Sequence, residues 1–328
     1  MATVNHSQTS DRTTLVSSPN GSPNDLPNGS PDVSPNNSPK GSQGVTNVSL
    51  RTLRAQTKAG KPFACLTCYD AASARWLARA GVPLLLVGDT AAEMTLGYER
   101  TLDMPLDVLL ALTAGVYRGV AAACADTSQY AATRSLVMGD MPFLSYQASD
   151  ETAIINAGKF LTVGRADIVK LEVDGTFAPL IGKLMRAGIP VCAHLGSRPQ
   201  RAALTGGYAA AGRTEAEAEE IVSAARACIA AGAVMLLLEA VPEAVTAKVM
   251  AVASEAGVPV IGIGAGAGCD GQVLVLNDLL GLSDRPPSFA KPVASLGRAI
   301  MGAGEQWVEL VAARGVGPSP YSSKPANK

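Results

Sequence analysis

Eight short apolar runs recur along the chain: Phe63–Leu66, Leu84–Val87, Leu136–Met138, Ile168–Leu171, Val191–Ala193, Met235–Leu238, Val260–Ile263 and Val273–Leu276. Each is strand-sized, and most are separated by Ala-rich stretches of helical period such as Glu215–Ala231. Strands alternating with helices predict an α/β fold whose parallel sheet is covered on both faces. The phrase Ala-Gly-(Ile/Val)-Pro returns as Ala80–Pro83, Ala187–Pro190 and Ala256–Pro259. Each copy would end a helix on its Gly and release the next strand after its Pro. The units fill residues 49–313, about the size typical of one (β/α)8 barrel. The repeat therefore favours a TIM barrel over a doubly wound sheet. The last two runs lie close together, which leaves the eighth strand the shortest connection.

Residues 1–48 carry none of this pattern. Ser-Pro occurs at Ser18, Ser22, Ser30, Ser34 and Ser38, and apolar residues almost vanish between Ser17 and Gly44. Such a segment cannot offset its ordering entropy by burial, so a disordered tail is expected. A transit peptide is disfavoured by Asp11, Asp25 and Asp32 and by a single arginine, Arg12, before Arg51. Residues 314–328 read as a second flexible tail.

Charge and composition narrow the function classes. Lys plus Arg number 27 against 28 Asp plus Glu, a formal net charge of −1, with no basic cluster to attract nucleic acid. No apolar run approaches the ~20 residues that cross a bilayer, so no membrane partner is expected. Aromatics are only 4%, so the core must be built from Ala, Val, Leu and Ile. Six scattered cysteines without a signal peptide suit reduced thiols and a cytoplasmic location. The histidines are His6 and His194 alone, which excludes a site of several His ligands if the tail stays out of the fold.

Polar residues gather where the strands would end. Val87-Gly-Asp89-Thr90 follows the second run, Gly139-Asp140 the third, Lys170-Leu-Glu172 the fourth, His194-Leu-Gly196 the fifth, Glu239 the sixth and Gly262–Gly266 the seventh. In a barrel these ends converge on the face that carries active sites. Asp89, Asp140 and Glu172 offer hard oxygens suited to Mg2+, with water and substrate completing the shell. An N-cap of the following helix is the competing role for an Asp so placed. Lys170 lies two residues before Glu172 and shares its strand face, where it could neutralise an anionic substrate. Glu239 follows Leu236–Leu238, an environment that would raise a carboxylate toward a useful general base, though a paired structural acid is the alternative. His194 is as compatible with a buried structural histidine as with a catalyst. Cys65-Leu-Thr-Cys68 lacks a second pair and reads as ordinary buried thiols. Gly266-Ala-Gly268-Cys-Asp-Gly271 matches G-x-G-x-x-G, but no helix opens within it and Lys291 stands where a dinucleotide site needs an acid.

Taken in order, Thr67–Asp70, Val87–Thr90, Gly97-Tyr98, Asp140–Phe143, Val169–Glu172, Ala193–Gly196, Gly206–Tyr208, Leu238-Glu239, Gly262–Gly266 and Asp270–Gln272 resemble the ketopantoate hydroxymethyltransferase family in order and spacing from Val48 to Lys291. The resemblance implies a (β/α)8 barrel of the phosphoenolpyruvate/pyruvate-like type. It implies Mg2+ at Asp89, Asp140 and Glu172, 2-oxo acid binding by Asp89, Thr90, Asp140 and Lys170, and Glu239 as proton acceptor, with His194 beside it. It implies transfer of a hydroxymethyl group from 5,10-methylenetetrahydrofolate to 3-methyl-2-oxobutanoate, giving 2-dehydropantoate for coenzyme A synthesis, by a homo-oligomer, a decamer in the family. Departures fall in the loops: Thr90 for Ser, Val173-Asp174 for two glycines, Ser197-Arg198 before Pro199-Gln200, Ala209–Ala211, a longer Ala121–Arg134, and no His-Ser-aromatic signature at the C-terminal end. Two other classes compete. A Mg2+-dependent carbon–carbon lyase of a related barrel would carry a K-(K/R)-C-G-H loop, which is absent; a lapsed barrel serving as a binding protein would have lost a metal carboxylate, and none is missing.

Overall fold

The computed structural model describes residues 44–321. Eight of its strands form a barrel: β1 (Phe63–Thr67), β2 (Leu84–Val87), β3 (Leu136–Asp140), β4 (Ile168–Glu172), β5 (Val191–Gly196), β6 (Met235–Glu239), β7 (Val260–Ile263) and β8 (Gly271–Leu274). Each pairs in parallel with the next, and β8 pairs back onto β1, closing the barrel. All eight expected strands are present. The last sits slightly earlier than its apolar run, because Leu276 already begins a short helix, Leu276–Leu279.

Period-two alternation divides the strand residues between two cores. Leu84, Leu86, Met138, Ile168, Cys192, Met235 and Leu237 point into the barrel. Leu85, Val137, Val169, Leu171, Ala193, Leu236 and Leu238 pack outward against the helices. Strands buried on both faces need such continuous apolar runs. Helix Leu50–Lys58 contributes Leu53 to the inner cluster beside Phe63. The same alternation carries Asp140, Lys170, Glu172, His194 and Glu239 inward, above the apolar layers.

The local signals behave as their chemistry dictates. Gly81, Gly188 and Gly257 of the three Ala-Gly-X-Pro phrases all take positive φ (85°, 85° and 65°) just past a helix end, where a Cβ would be strained. Thr214 and Glu217 form a capping box on helix Glu215–Ala230. Gly266 and Gly268 lie in the connection between β7 and β8, with no helix opening there, so the glycine pattern serves a loop.

Three features differ from the sequence reading. Up to residue 43 the expected tail lies outside the described residues, but Val45–Asn47 form a short strand paired in parallel with Ala132–Arg134. The longer Ala121–Arg134 stretch supplies that partner. Helix Leu106–Ala125 also has the length and apolarity to cross a membrane, although no uninterrupted apolar run of that length exists in the sequence. Here it buries Leu109, Leu110, Val116 and Val120 in the outer core, as a barrel helix must. Finally, helix Leu296–Ala312 buries none of its residues, leaving Ile300, Met301, Trp307, Val308, Leu310 and Val311 exposed.

Candidate active site

Strand register brings the polar ends together. Asp140 and Lys170 are direct neighbours across β3 and β4, Glu172 and His194 across β4 and β5, and Gly196 and Glu239 across β5 and β6. Asp89 and Thr90 follow β2. All seven expected residues line one cavity of about 480 Å³, a size typical of small-molecule sites. Its outer wall includes Glu93, Met94, Tyr208, Arg285 and Phe289.

Asp89, Asp140, Lys170, Glu172 and His194 are all buried. Lys170 Nζ lies 2.8 Å from Asp140 Oδ1, and the Asp89 amide donates to Asp140 Oδ2 at 3.0 Å. Asp140 is therefore a strand residue engaged in the site and not an N-cap; Ser149 caps the next helix. Burial, reinforced by the Asp89 charge, pushes the Asp140 and Glu172 carboxyls above the usual carboxylate range. Burial would lower Lys170, but Asp140, Asp89 and Glu172 outweigh it and hold the ammonium above its ordinary value. Burial and then the Lys170 charge lower His194, which keeps its ring neutral.

A neutral ring decides which His194 nitrogen carries the proton. Lys170 Nζ, a donor only, sits 3.4 Å from Nδ1, so Nδ1 accepts and the hydrogen resides on Nε2. Nε2 stands 3.3 Å from Glu239 Oε2, within reach but without hydrogen-bond alignment. Glu239 departs from the sequence reading in one respect. Its side chain is 29% exposed, because the last residue of β6 emerges at the cavity mouth beyond the leucines that precede it.

Could these residues hold a cation? Among the described residues no three His, Cys, Asp or Glu side chains stand close enough together to ligate one ion, so the carboxylates do not form a closed three-ligand cage. Two oxygens are nevertheless bare: Glu172 Oε1 has no hydrogen-bond partner, and Asp140 Oδ1 has only the unaligned Lys170 ion pair. Lys170 is one ammonium among three carboxyl groups, so ionising Asp140 and Glu172 together leaves negative charge that a cation would offset. The donor set fits a hard divalent cation that takes one or two carboxylates directly and fills its shell with water and substrate oxygens.

The sequence reading missed a group of neutral residues. Gln200 Nε2 donates to Asp89 Oδ2 and to the Met141 carbonyl, and the Gln200 amide donates to Glu172 Oε2. Tyr146 Oη donates to the Glu172 carbonyl at 2.8 Å, and Tyr69 Oη lies 2.7 Å from Thr90 Oγ1. Such side chains carry no charge pattern; the one available signal was the strand-end position of Ser197–Gln200.

Gly196 has a steric role beside Glu239. At φ 93°, a Cβ there would stand 2.4 Å from the Glu239 carbonyl oxygen. Gly196→Ala is expected to force β5 and β6 apart, at the scale of core overpacking, about 1–3 kcal/mol. A thermal melt should show a lowered midpoint together with impaired turnover; unchanged values for both would mean that the close approach at Gly196 does not hold β5 and β6 in place.

Known proteins match this sequence along most of the chain. The family model described as ketopantoate hydroxymethyltransferase matches residues 47–317. A 3-methyl-2-oxobutanoate hydroxymethyltransferase of Halorhodospira halophila is 42% identical over 273 residues, 83% of this chain and 93% of that protein. One of Carboxydothermus hydrogenoformans is 40% identical over 265 residues, 80% of this chain and 91% of its own. In fold alone, the chain is similar to 2,3-dimethylmalate lyase, a PEP mutase/isocitrate lyase superfamily member, with TM-score 0.50 and 18% identity over 85% of this chain and 91% of that one. With the closed barrel, the strand-end carboxylates and a match from residue 47 to residue 317, the chain belongs to the ketopantoate hydroxymethyltransferase family.

Proposed function

We propose that this chain transfers a hydroxymethyl group from 5,10-methylenetetrahydrofolate to 3-methyl-2-oxobutanoate, giving 2-dehydropantoate. The observation that carries this reading is the convergence of Asp89, Asp140, Lys170 and Glu172 in one buried cluster facing Glu239 across a single cavity. The names of relatives 40–42% identical along four-fifths of the chain support the same substrate. Mg2+ would be held by Asp89, Asp140 and Glu172, directly or through water, and would supply Lewis-acid polarisation of the keto group.

The residues divide the remaining work. The 2-oxo acid is anionic, and Lys170 with the Thr90 hydroxyl supplies donors for its oxygens. Glu239, at the open side of the cluster, takes the C3 proton, and the C–H electron pair moves into the C2 carbonyl to give the enolate. Water hydrolyses the one-carbon unit from folate, breaking its carbon–nitrogen bonds and releasing tetrahydrofolate; the enolate C3 adds to the resulting formaldehyde-level carbon, whose oxygen takes up a proton to become the new hydroxyl. His194, neutral and protonated on Nε2, stands 3.3 Å from Glu239 Oε2, where a small shift would let it donate to the base. The direct test incubates the purified protein with the acid, the folate and Mg2+, with 2-dehydropantoate detected by mass spectrometry. Absence of product at any Mg2+ concentration would refute the assignment.

We also propose that the protein works as a homo-oligomer. Trp307, Val308 and their neighbours on helix Leu296–Ala312 present more exposed apolar surface than a solitary barrel should keep. Sedimentation of the full chain should give a mass several times that of one 33.5 kDa chain, and Trp307→Glu with Val308→Glu should shift it toward the monomer. A monomeric wild-type protein would overturn this reading.

A further inference from the structure

We propose that Gln200 is a positioning residue that fixes the Asp89 and Glu172 carboxylates for the divalent cation; the inference rests on the metal-dependent reading above. Gln200 is 4% exposed, and its hydrogen bonds reach three separate strand ends. Nε2 donates to Asp89 Oδ2 (3.0 Å) after β2 and to the Met141 carbonyl (2.9 Å) after β3. The backbone amide donates to Glu172 Oε2 (2.9 Å) on β4. Oε1 accepts from Gln147 Nε2 at 3.0 Å and lies 3.0 Å from Tyr146 Oη. The amide can sit only this way round. Turned over, it would set its carbonyl oxygen against Asp89 Oδ2 and the Met141 carbonyl, both acceptors.

The chemistry explains why a neutral amide belongs here. A second buried cation beside Lys170 would spend the negative charge that a metal needs. An amide orients a carboxylate and leaves its charge in place. Each carboxylate engaged by Gln200 gives one oxygen to the amide, which leaves its other oxygen for a ligand; Glu172 Oε1 is bare in just this sense. Partners of metal ligands act in this manner in general, holding the ligand's orientation.

The turn that delivers Gln200 is itself tied down. Arg198 Nη1 and Arg201 Nη1 both donate to Asp174 Oδ2, at 2.7 and 3.0 Å. Asp174 lies two residues beyond Glu172, so the loop that carries one carboxylate also anchors both flanks of Pro199-Gln200. Glu172, Asp174, Arg198 and Gln200 thus form a closed circuit. A displaced turn would release Glu172 Oε2 and Asp89 Oδ2 together.

Gln200→Leu keeps the side chain's bulk and removes the Nε2 donor to Asp89 and Met141, while the backbone amide that reaches Glu172 remains. Mn2+ and Mg2+ titrated calorimetrically into the full chain, without substrates, should bind about 10–100-fold more weakly than to wild type. Turnover should fall at low Mg2+ and recover at saturating Mg2+, with kcat near wild type, a rescue that a misfolded barrel would not show. Cation affinity within about twofold of wild type, or a loss of turnover that excess Mg2+ does not restore, overturns the inference. If Gln200→Leu does not fold, the double variant Arg198→Met and Arg201→Met, outside the metal oxygens, carries the same readouts with a smaller shift expected; unchanged affinity there also overturns it. A wild-type protein that binds no divalent cation and yields no product refutes the underlying metal reading instead, and the same titration shows this before any variant is compared.

Discussion

Asp140→Ala is expected to lower 2-dehydropantoate formation by about 10²–10³-fold, the scale of losing one electrostatic stabiliser of a developing oxyanion. The side chain does three things at once: it pairs with Lys170, accepts the Asp89 amide, and presents Oδ1 toward the cavity. Deleting one member of a buried ion pair is usually destabilising, because the survivor is left uncompensated. Lys170 escapes that fate here, since Asp89 and Glu172 also lie close enough to favour its charge. The fold should therefore survive, with a circular-dichroism melt close to wild type. Retained turnover that is also indifferent to a chelator would remove the metal from the account.

Glu239→Gln should produce a loss of about 10²–10⁴-fold in turnover, the usual contribution of a general base. The amide keeps the shape and a contact to His194 but cannot accept a proton. Because Glu239 is partly exposed at the cavity mouth and the amide preserves its shape, binding of the 2-oxo acid and of Mg2+ should persist. Calorimetry on the variant checks this: preserved binding with lost turnover assigns the defect to proton abstraction, whereas lost binding would place Glu239 among the substrate-holding groups.

The sequence announces what has periodicity or charge. Apolar runs at βα spacing locate the strands, and alternation within Ile168–Glu172 places Lys170 and Glu172 on the inner face beside Ile168. Asp140 ends a strand and lines the cavity, with no helix at that point for it to cap. Gln200 and Tyr146 stayed hidden because a neutral side chain in a loop has no period and no charge, and its value lies in partners far along the chain. The leucines before Glu239 suggest desolvation, yet on a strand they face alternately inward and outward, and a terminal residue escapes both cores. The pairing of Val45–Asn47 with Ala132–Arg134 depends on a long-range contact between two three-residue segments, too short to show alternation.

The most direct test of the account is exchange of the C3 hydrogen of 3-methyl-2-oxobutanoate with deuterated water, followed by NMR in the absence of folate. That half-reaction isolates enolisation, so a weak folate site cannot imitate a missing base. Wild-type protein with Mg2+ should exchange the hydrogen, a chelator should stop it, and Glu239→Gln should lose it by the same factor as turnover. Exchange by Glu239→Gln at the wild-type rate, or none by wild type under conditions that yield 2-dehydropantoate, would contradict it.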